Sequence, residues 1–392
     1  MIPFVDLKTQ YQSLKPEIDA AIQKVIDDCA FVHGKYCEEF ENNFARACEK
    51  AICIGTSNGT TALELALRAY SIGPGDEVIV PSHTFIATAE VVSILGATPV
   101  FAEIDESTYT IDPKDIEKRI TPKTKAIIPV HLYGQAADMD SILEIAQKHN
   151  LKVIEDCAQA HLAKYKGKTV PVGEIGCFSF FPGKNLGAYG DAGAVVTDNP
   201  ELAKKISQFL NHGREKGEKY KHTSIGNNYR MDGLQGAILN VKLKYLQKWT
   251  DHRRAAAQKY RDGLSAPTST NTALPQGGSV PSSAAAPTFA ANSEANPLLL
   301  PFEADYAYHV YHLFVLRSPR RDEIIKKLRE NQIECGIHYP IPLHLQPAYA
   351  NLGYKEGDFP VTEKIVKEIF SLPICGEVTD ESIEKVISAI SI

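Results

Sequence analysis

The chain has no apolar run long enough to span a bilayer. Its N-terminus, Met1-Ile2-Pro3-Phe4-Val5-Asp6, lacks a basic lead followed by an apolar core. Neither a membrane span nor an export signal is expected. The eight cysteines, Cys29, Cys37, Cys48, Cys53, Cys157, Cys177, Cys335 and Cys375, form no Cys-x-x-Cys pair, and no histidine spacing completes a zinc site around them. No metal is expected, and cysteines in apolar settings such as Cys53 and Cys157 read as small core residues of a protein in a reducing cytoplasm. Basic clusters are absent too. With a net charge of −6, neither nucleic acid nor a membrane surface is an expected partner.

What remains is an ordinary apolar fraction spread over 392 residues, enough for two domains. After an amphipathic helix from Leu14 to Val25, short apolar runs alternate with helical segments. Runs at Ala51–Ile54, Glu77–Val80, Pro99–Phe101, Ala126–Val130 and Leu151–Ile154 read as strands. That alternation predicts an α/β domain with a mostly parallel central sheet, whose ligands bind where strands end and helices begin. Beyond Met231 the spacing of Leu234, Ile238, Val241, Tyr245 and Trp249 predicts one long helix continuing toward Tyr260. A Ser/Ala/Pro-rich stretch, 265–297, reads as a flexible loop. From Tyr308 the chain is regular again, with a strand over Val310–Leu316 and helices over Arg321–Asn331 and Asp380–Ile392. The expected division is a large domain, 1–250, and a smaller α+β domain, 251–392.

Four features carry chemistry. Lys184 lies between glycines in Phe180-Phe181-Pro182-Gly183-Lys184-Asn185-Leu186-Gly187, after an aromatic run. Burial lowers a lysine's pKa and makes it a nucleophile toward carbonyls, so Lys184 is expected to hold an aldehyde cofactor as a Schiff base. Asp156, at the end of the strand closing with Ile154, is placed to pair with a ring nitrogen of a cofactor such as pyridoxal phosphate; its ordinary alternative is a helix cap or a surface acid. Ser57-Asn58-Gly59-Thr60-Thr61 opens a helix, and free N–H groups there make a phosphate seat or a plain N-cap. It is neither a Walker loop nor a G-x-G-x-x-G fingerprint. Phe85 is either a stacking aromatic or core.

Together these features resemble the fold-type I, pyridoxal-phosphate-dependent DegT/DnrJ/EryC1/StrS aminotransferases. The resemblance runs from Pro3-Phe4-Val5-Asp6-Leu7 through Val130-His131-Leu132-Tyr133-Gly134-Gln135, the Lys184 motif and Gly226-Asn227-Asn228-Tyr229-Arg230-Met231-Asp232 to His338-Tyr339-Pro340. It implies a large αβα domain with a smaller C-terminal α+β domain, and pyridoxal 5'-phosphate as cofactor. It implies Lys184 as the Schiff-base lysine, Asp156 at the pyridine nitrogen and Gln159 beside the phenolic oxygen. Gly59, Thr60 and Ser179 match the phosphate seat, and Phe85 the stacking ring. Asn228 matches an asparagine reaching the phosphate of the neighbouring subunit, hence a homodimer with shared active sites. A related branch carries histidine for the lysine and runs dehydration; Lys184 implies transamination.

The resemblance further implies L-glutamate as donor and a nucleotide-linked keto-deoxysugar as acceptor, aminated at C3. The alternatives are a UDP-linked 3-keto-uronate, a 4-keto sugar or a cyclitol, and a non-catalytic regulatory protein. Asn211 stands where the uronate branch has arginine, with Arg214 and Arg230 nearby. His338 and Tyr339 are candidates for sugar or diphosphate contact. Asp191 stands where many members have glutamate, and the 265–297 stretch is longer than usual there.

Overall fold

A computed structural model describes residues 1–215, 217–265 and 298–391. The loop expected over 265–297 therefore lies outside the described residues, apart from Ser265. Helix α1 (Leu7–Asp27) is capped by Asp6, whose side chain accepts from the Thr9 N–H. It is followed by α2 (Lys35–Ala47), β1 (Ile52–Thr56), α3 (Gly59–Ala69), β2 (Glu77–Pro81), α4 (Ala87–Ile94), β3 (Thr98–Ala102), α5 (Pro113–Arg119), β4 (Thr124–Ile127) and α6 (Met139–His149). Then come β5 (Lys152–Val153), β6 (Glu155–Asp156), β7 (Lys164–Tyr165), β8 (Lys168–Thr169), β9 (Ile175–Ser179), β10 (Gly193–Thr197) and α7 (Pro200–Leu210).

Two four-stranded sheets, ordered β3-β2-β4-β5 and β1-β10-β9-β6, are continuous through Ile154, the single residue between β5 and β6. The Ile154 N–H still donates to the Ile127 carbonyl at 3.0 Å. All pairings are parallel except those of β10, which runs against both β1 and β9. Neighbouring strand residues point to opposite faces, and both faces are covered. Ile79, Phe178 and Val196 join one apolar cluster with Phe40 and Phe44 of α2, whereas Val78, Val80, Cys177 and Val195 join another with Leu65 of α3. The result is an αβα sandwich with a mostly parallel sheet.

The remaining elements are α8 (Gly233–Leu243), α9 (Leu246–Ser265), β11 (Ala307–Tyr308), β12 (Phe314–Arg317), α10 (Arg321–Glu330), α11 (Pro360–Glu368), β13 (Ile369–Leu372) and α12 (Asp380–Ser391). β12 and β13 pair antiparallel. A third apolar cluster, with Tyr260, Phe314, Leu328, Phe370 and Val386, binds them to α9, α10 and α12. α9 runs unbroken across residues 250 and 251, the division expected from the sequence.

Two expectations change. The long helix beyond Met231 is two helices, because the Lys244 and Tyr245 N–H groups bond three residues back, to Val241 and Lys242, and tighten the chain out of the α-helix. The strand expected over Val310–Leu316 begins only at Phe314. Val310 and Leu313 give their N–H groups to the Gly134 and Tyr133 carbonyls instead, and Tyr311 is left-handed, with φ 43°.

At the site end of the sheet, backbone packs on backbone. A Cβ on Gly193 would lie 2.3 Å from the Asn58 carbonyl carbon and oxygen, and one on Gly59 would lie 2.7 Å from Ser179 Cβ. β10, the start of α3 and the end of β9 therefore meet at a point with no room for a side chain. Gly193→Ala is expected to cost about 1–3 kcal/mol of stability, as overpacking does, read as a lower midpoint in thermal and denaturant unfolding.

Candidate active site

The ends of β1, β2, β6 and β9 deliver one functional group each to the same crevice. Strand alternation separates the acidic pair at the end of β6. Glu155 turns into the core, fully buried, and accepts from the Val172 and Gly173 N–H groups and from His131 Nε2 at 2.8 Å. His131 Nδ1 accepts from the Ala137 N–H, which fixes the proton on Nε2. His131, Glu155 and the buried Cys157 gather within metal-binding distances of one another, but both ring nitrogens are already in use within the fold.

Asp156 turns the other way, toward Lys184. It is 5 % exposed. One carboxylate oxygen accepts from Thr88 Oγ1 at 2.9 Å and the other from the Ala158 N–H at 3.1 Å. Burial raises its pKa, while those two hydrogen bonds and the charge of Lys184 pull it down.

Lys184 rides a closed loop. Its N–H donates to the Phe181 carbonyl, and the Ala188 N–H donates to the Phe180 carbonyl, both at 2.8 Å. The loop turns so tightly that a Cβ on Gly187 would lie 2.3 Å from the Pro182 oxygen. Behind it the buried Lys242 of α8 donates to the Gly187 carbonyl. Protein crowds the Lys184 amine, and the loss of water lowers its pKa to about 8 against the pull of Asp156.

At the start of α3, Asn58 caps the Thr61 N–H at 2.8 Å, and Thr61 returns the bond to the Asn58 N–H. The same cap leaves the Gly59 and Thr60 N–H groups without a hydrogen-bond partner among the described residues. They lie at the helix N-terminus beside Ser179, whose Oγ accepts from the Phe181 N–H and keeps its own proton to give. The N-cap is formed, and the two N–H groups it spares could receive an anion.

Phe85 is not core. It is 52 % exposed, with its ring 5.7 Å from that of Tyr339. Gln159 is buried and spans two groups, accepting from the Tyr133 N–H at 2.6 Å and donating to the Tyr339 hydroxyl at 3.1 Å. The Tyr133 hydroxyl donates to the His338 carbonyl and faces His83 Nε2 at 2.7 Å. His338 in turn meets Ser371 Oγ at 2.9 Å and stacks on Phe4. Lys184, Asp156, Gln159, Tyr339 and His338 are thus linked, by hydrogen bonds or by direct electrostatic influence.

Asn228 stands apart. It is exposed, on the segment bridging Asn211, and its side chain makes no hydrogen bond among the described residues. Arg230 is engaged by Asn211 Oδ1 at 2.8 Å. Arg214 gives its N–H to the Asn211 carbonyl at 3.1 Å and forms a backbone bridge to His222, and its side chain makes no hydrogen bond among the described residues. Thr88, Tyr133, His83, Asn185 and His312 are site neighbours that sequence reasoning did not single out. Of these, Asn185 beside Lys184 and Tyr133 in the Val130–Gln135 motif carry a local signal.

The family model for DegT/DnrJ/EryC1/StrS aminotransferases matches residues 12–391. The chain belongs to this family. The aminotransferase is 43 % identical over 390 residues to the dTDP-3-amino-3,4,6-trideoxy-alpha-D-glucose transaminase of Streptomyces venezuelae, covering 99 % of this chain and 95 % of the relative. It is 44 % identical over 393 residues to the dTDP-3-amino-3,6-dideoxy-alpha-D-galactopyranose transaminase of Aneurinibacillus thermoaerophilus, covering 100 % and 99 %. The solved structure of S. venezuelae DesV in complex with a ketimine intermediate superposes with a TM-score of 0.90 at 42 % identity, covering 100 % of this chain and 97 % of that one. The fold-type I architecture read from the sequence is the one observed.

Lys184 yields a stability prediction for this aminotransferase. Its folded pKa, about 8 against an ordinary 10.5, means the unfolded chain binds more protons between those values, so this group's contribution to stability rises with pH across that window. Below pH 8 its penalty is fully present. In cofactor-free protein at pH 7, Lys184→Met is expected to raise stability by about 1–3 kcal/mol. The gain should vanish as pH approaches 10.5, which paired denaturant titrations at pH 7 and at high pH would read.

Proposed function

We propose that the protein transfers the amino group of L-glutamate to C3 of a nucleotide-linked keto-deoxysugar, using pyridoxal 5'-phosphate held by Lys184. The observation that carries this is the meeting, in one crevice, of a lysine of lowered pKa, a buried carboxylate and two helix N-terminal N–H groups without a partner among the described residues.

The residues fit the group. Gly59, Thr60 and Ser179 offer two N–H donors and a hydroxyl to a phosphate, in a cradle that a Cβ on Gly59 would fill. Asp156 would face the ring nitrogen and favour its protonated form, and Thr88, which donates to the carboxylate, would keep it aimed. Phe85 would cover one ring face, and Gln159 would stand beside the phenolic oxygen. When bound, the cofactor supplies an electron sink. Lys184, as a neutral amine, takes the proton from the donor's α-carbon and returns it on the other side of the reaction. His338 and Tyr339 are proposed to contact the sugar or diphosphate.

Two relatives whose names carry a 3-amino dTDP-sugar support the C3 reading. Asn211, standing where the uronate branch has arginine, supports a sugar without a carboxylate, and it takes only one of the five N–H donors of Arg230. Exposed Asn228 suits a group that reaches a neighbour's phosphate seat. The exposed apolar Phe31, Val32, Phe181 and Ile225 suit a covering second copy, hence a homodimer. With its thiols free, the enzyme is proposed to work in a reducing cytoplasm.

Purified protein is expected to absorb at roughly 410–430 nm, a band lost in Lys184→Ala; colourless protein after reconstitution would overturn the assignment. Cofactor association with apoprotein should quicken with pH up to about 8 and then level, whereas an ordinary lysine would keep quickening well beyond. Asp156→Asn should keep the colour and lower kcat about a hundredfold or more. Glutamate should bleach the band. A panel of 3-keto and 4-keto nucleotide sugars, read by product mass and regiochemistry, decides the acceptor; turnover of 4-keto sugars alone would reverse the C3 reading.

A further inference from the structure

Asn185 follows Lys184, and its side chain leaves the loop altogether. It is 3 % exposed. Its Nδ2 donates to the Val310 carbonyl at 3.2 Å, and its Oδ1 faces His312 Nδ1 at 3.2 Å. A carbonyl only accepts, so the bond to Val310 fixes which way the amide points. Oδ1 then requires a donor, and His312 must carry its proton on Nδ1. Its Nε2 is left with a lone pair and makes no hydrogen bond among the described residues.

His312 is itself held from three directions. Arg253 of α9, buried, donates to the carbonyls of Tyr311 at 3.2 Å, His312 at 3.4 Å and Ile374 at 2.9 Å. Val310 and Leu313 bond to Gly134 and Tyr133, the loop that also holds Gln159. Burial keeps the His312 ring neutral, the charges of Lys184 and Arg253 act the same way, and the titratable rings of His161 and His338 also face it. A ring that stays neutral keeps one tautomer, and so keeps one hydrogen bond to Asn185.

We propose that Asn185 and His312 form a latch between segment 310–313 and the Lys184 loop, which makes His312 a positioning residue for the reacting amine. The latch rests on the reading of Lys184 as the cofactor-bearing lysine. It fastens the residue next to Lys184 to the segment that Arg253 ties to α9 and to the Ile374 carbonyl beyond β13. The placement of the amine therefore depends on how that part of the molecule sits against the sheet.

The test compares holoenzymes of wild type, His312→Leu, His312→Asn and Asn185→Ala. Asparagine keeps a donor where Nδ1 stood and removes Nε2. The readouts are the pH midpoint of the visible band of the bound cofactor, kcat and KM separately, and the melting midpoint. His312→Leu and Asn185→Ala should move the spectral midpoint by about half a unit or more and lower kcat about tenfold, with KM changed less than about twofold. His312→Asn should stay close to wild type in both. Should His312→Leu fail to fold, His312→Gln, whose donor falls where Nε2 stood, takes its place with the same expectation. A wild-type midpoint and kcat in His312→Leu or His312→Gln would overturn the latch. So would a well-folded His312→Asn as impaired as the variant without the donor. Lys184→Ala separates the two readings: a visible band that survives it rejects the lysine assignment, whatever the other variants do.

Discussion

An ammonium ion taken out of water is among the costliest groups a protein can bury, and the crevice is organised around that cost at Lys184. Among the described residues the amine has no hydrogen-bonded carboxylate; Asp156 acts on it through space, as its principal attraction. What holds the lysine in so unfavourable a place is the backbone of its own loop. Two main-chain bonds close the loop, Lys242 grips it from behind, and Asn185 fastens it to a segment more than a hundred residues away. None of these contacts satisfies the amine. They hold it in place while burial lowers its pKa, which leaves it half neutral near pH 8. That is the protonation state a nucleophile or a proton carrier needs.

The same logic of backbone holding side chain governs the candidate anion seat. Gly59, Ser179 and Gly193 come from a helix start, a strand end and a strand start. They approach so closely that two of the three positions exclude a Cβ. Main-chain atoms, which have no rotamers to lose, then present the donors. The capping box satisfies Thr61 and spares Gly59 and Thr60, so the helix is properly started and its first N–H groups stay available.

Much of this was legible in the sequence, and what was not has a physical reason. Lys184 stood out because glycines and aromatics surround a charge, and the αβα layout followed from alternating strand and helix patterns. Asp156 is legible from its place at the strand end and matched by the resemblance, and the alternating faces of β6 explain why Glu155 turns into the core instead. The break at Lys244–Tyr245 left no mark, since neither proline nor glycine stands there and the apolar spacing runs straight through it. Val310–Leu313 alternates like a strand but spends its N–H groups on the loop at Tyr133–Gly134, a partner that only tertiary structure names. His312 meets Asn185 across 127 positions, beyond the reach of any local pattern.

The imidazoles around Lys184 bring these threads together. Burial holds His161 at a pKa of about 3 and His338 at about 4, and pushes His312 well down. Each is further discouraged from charging by Lys184 itself. The reciprocal effect matters as much. Rings that stay neutral add no positive charge to a cavity whose lysine must lose its proton easily, and Asp156 is the carboxylate that acts on that lysine among the described residues. A wall of neutral rings is polar enough to fix tautomers and hydrogen-bond directions, as at His312, yet leaves the charge balance to two residues. On the proposed assignment, a phosphate at the Gly59–Thr60 seat and a protonated ring nitrogen at Asp156 would each meet their complement, with no competing ion between them.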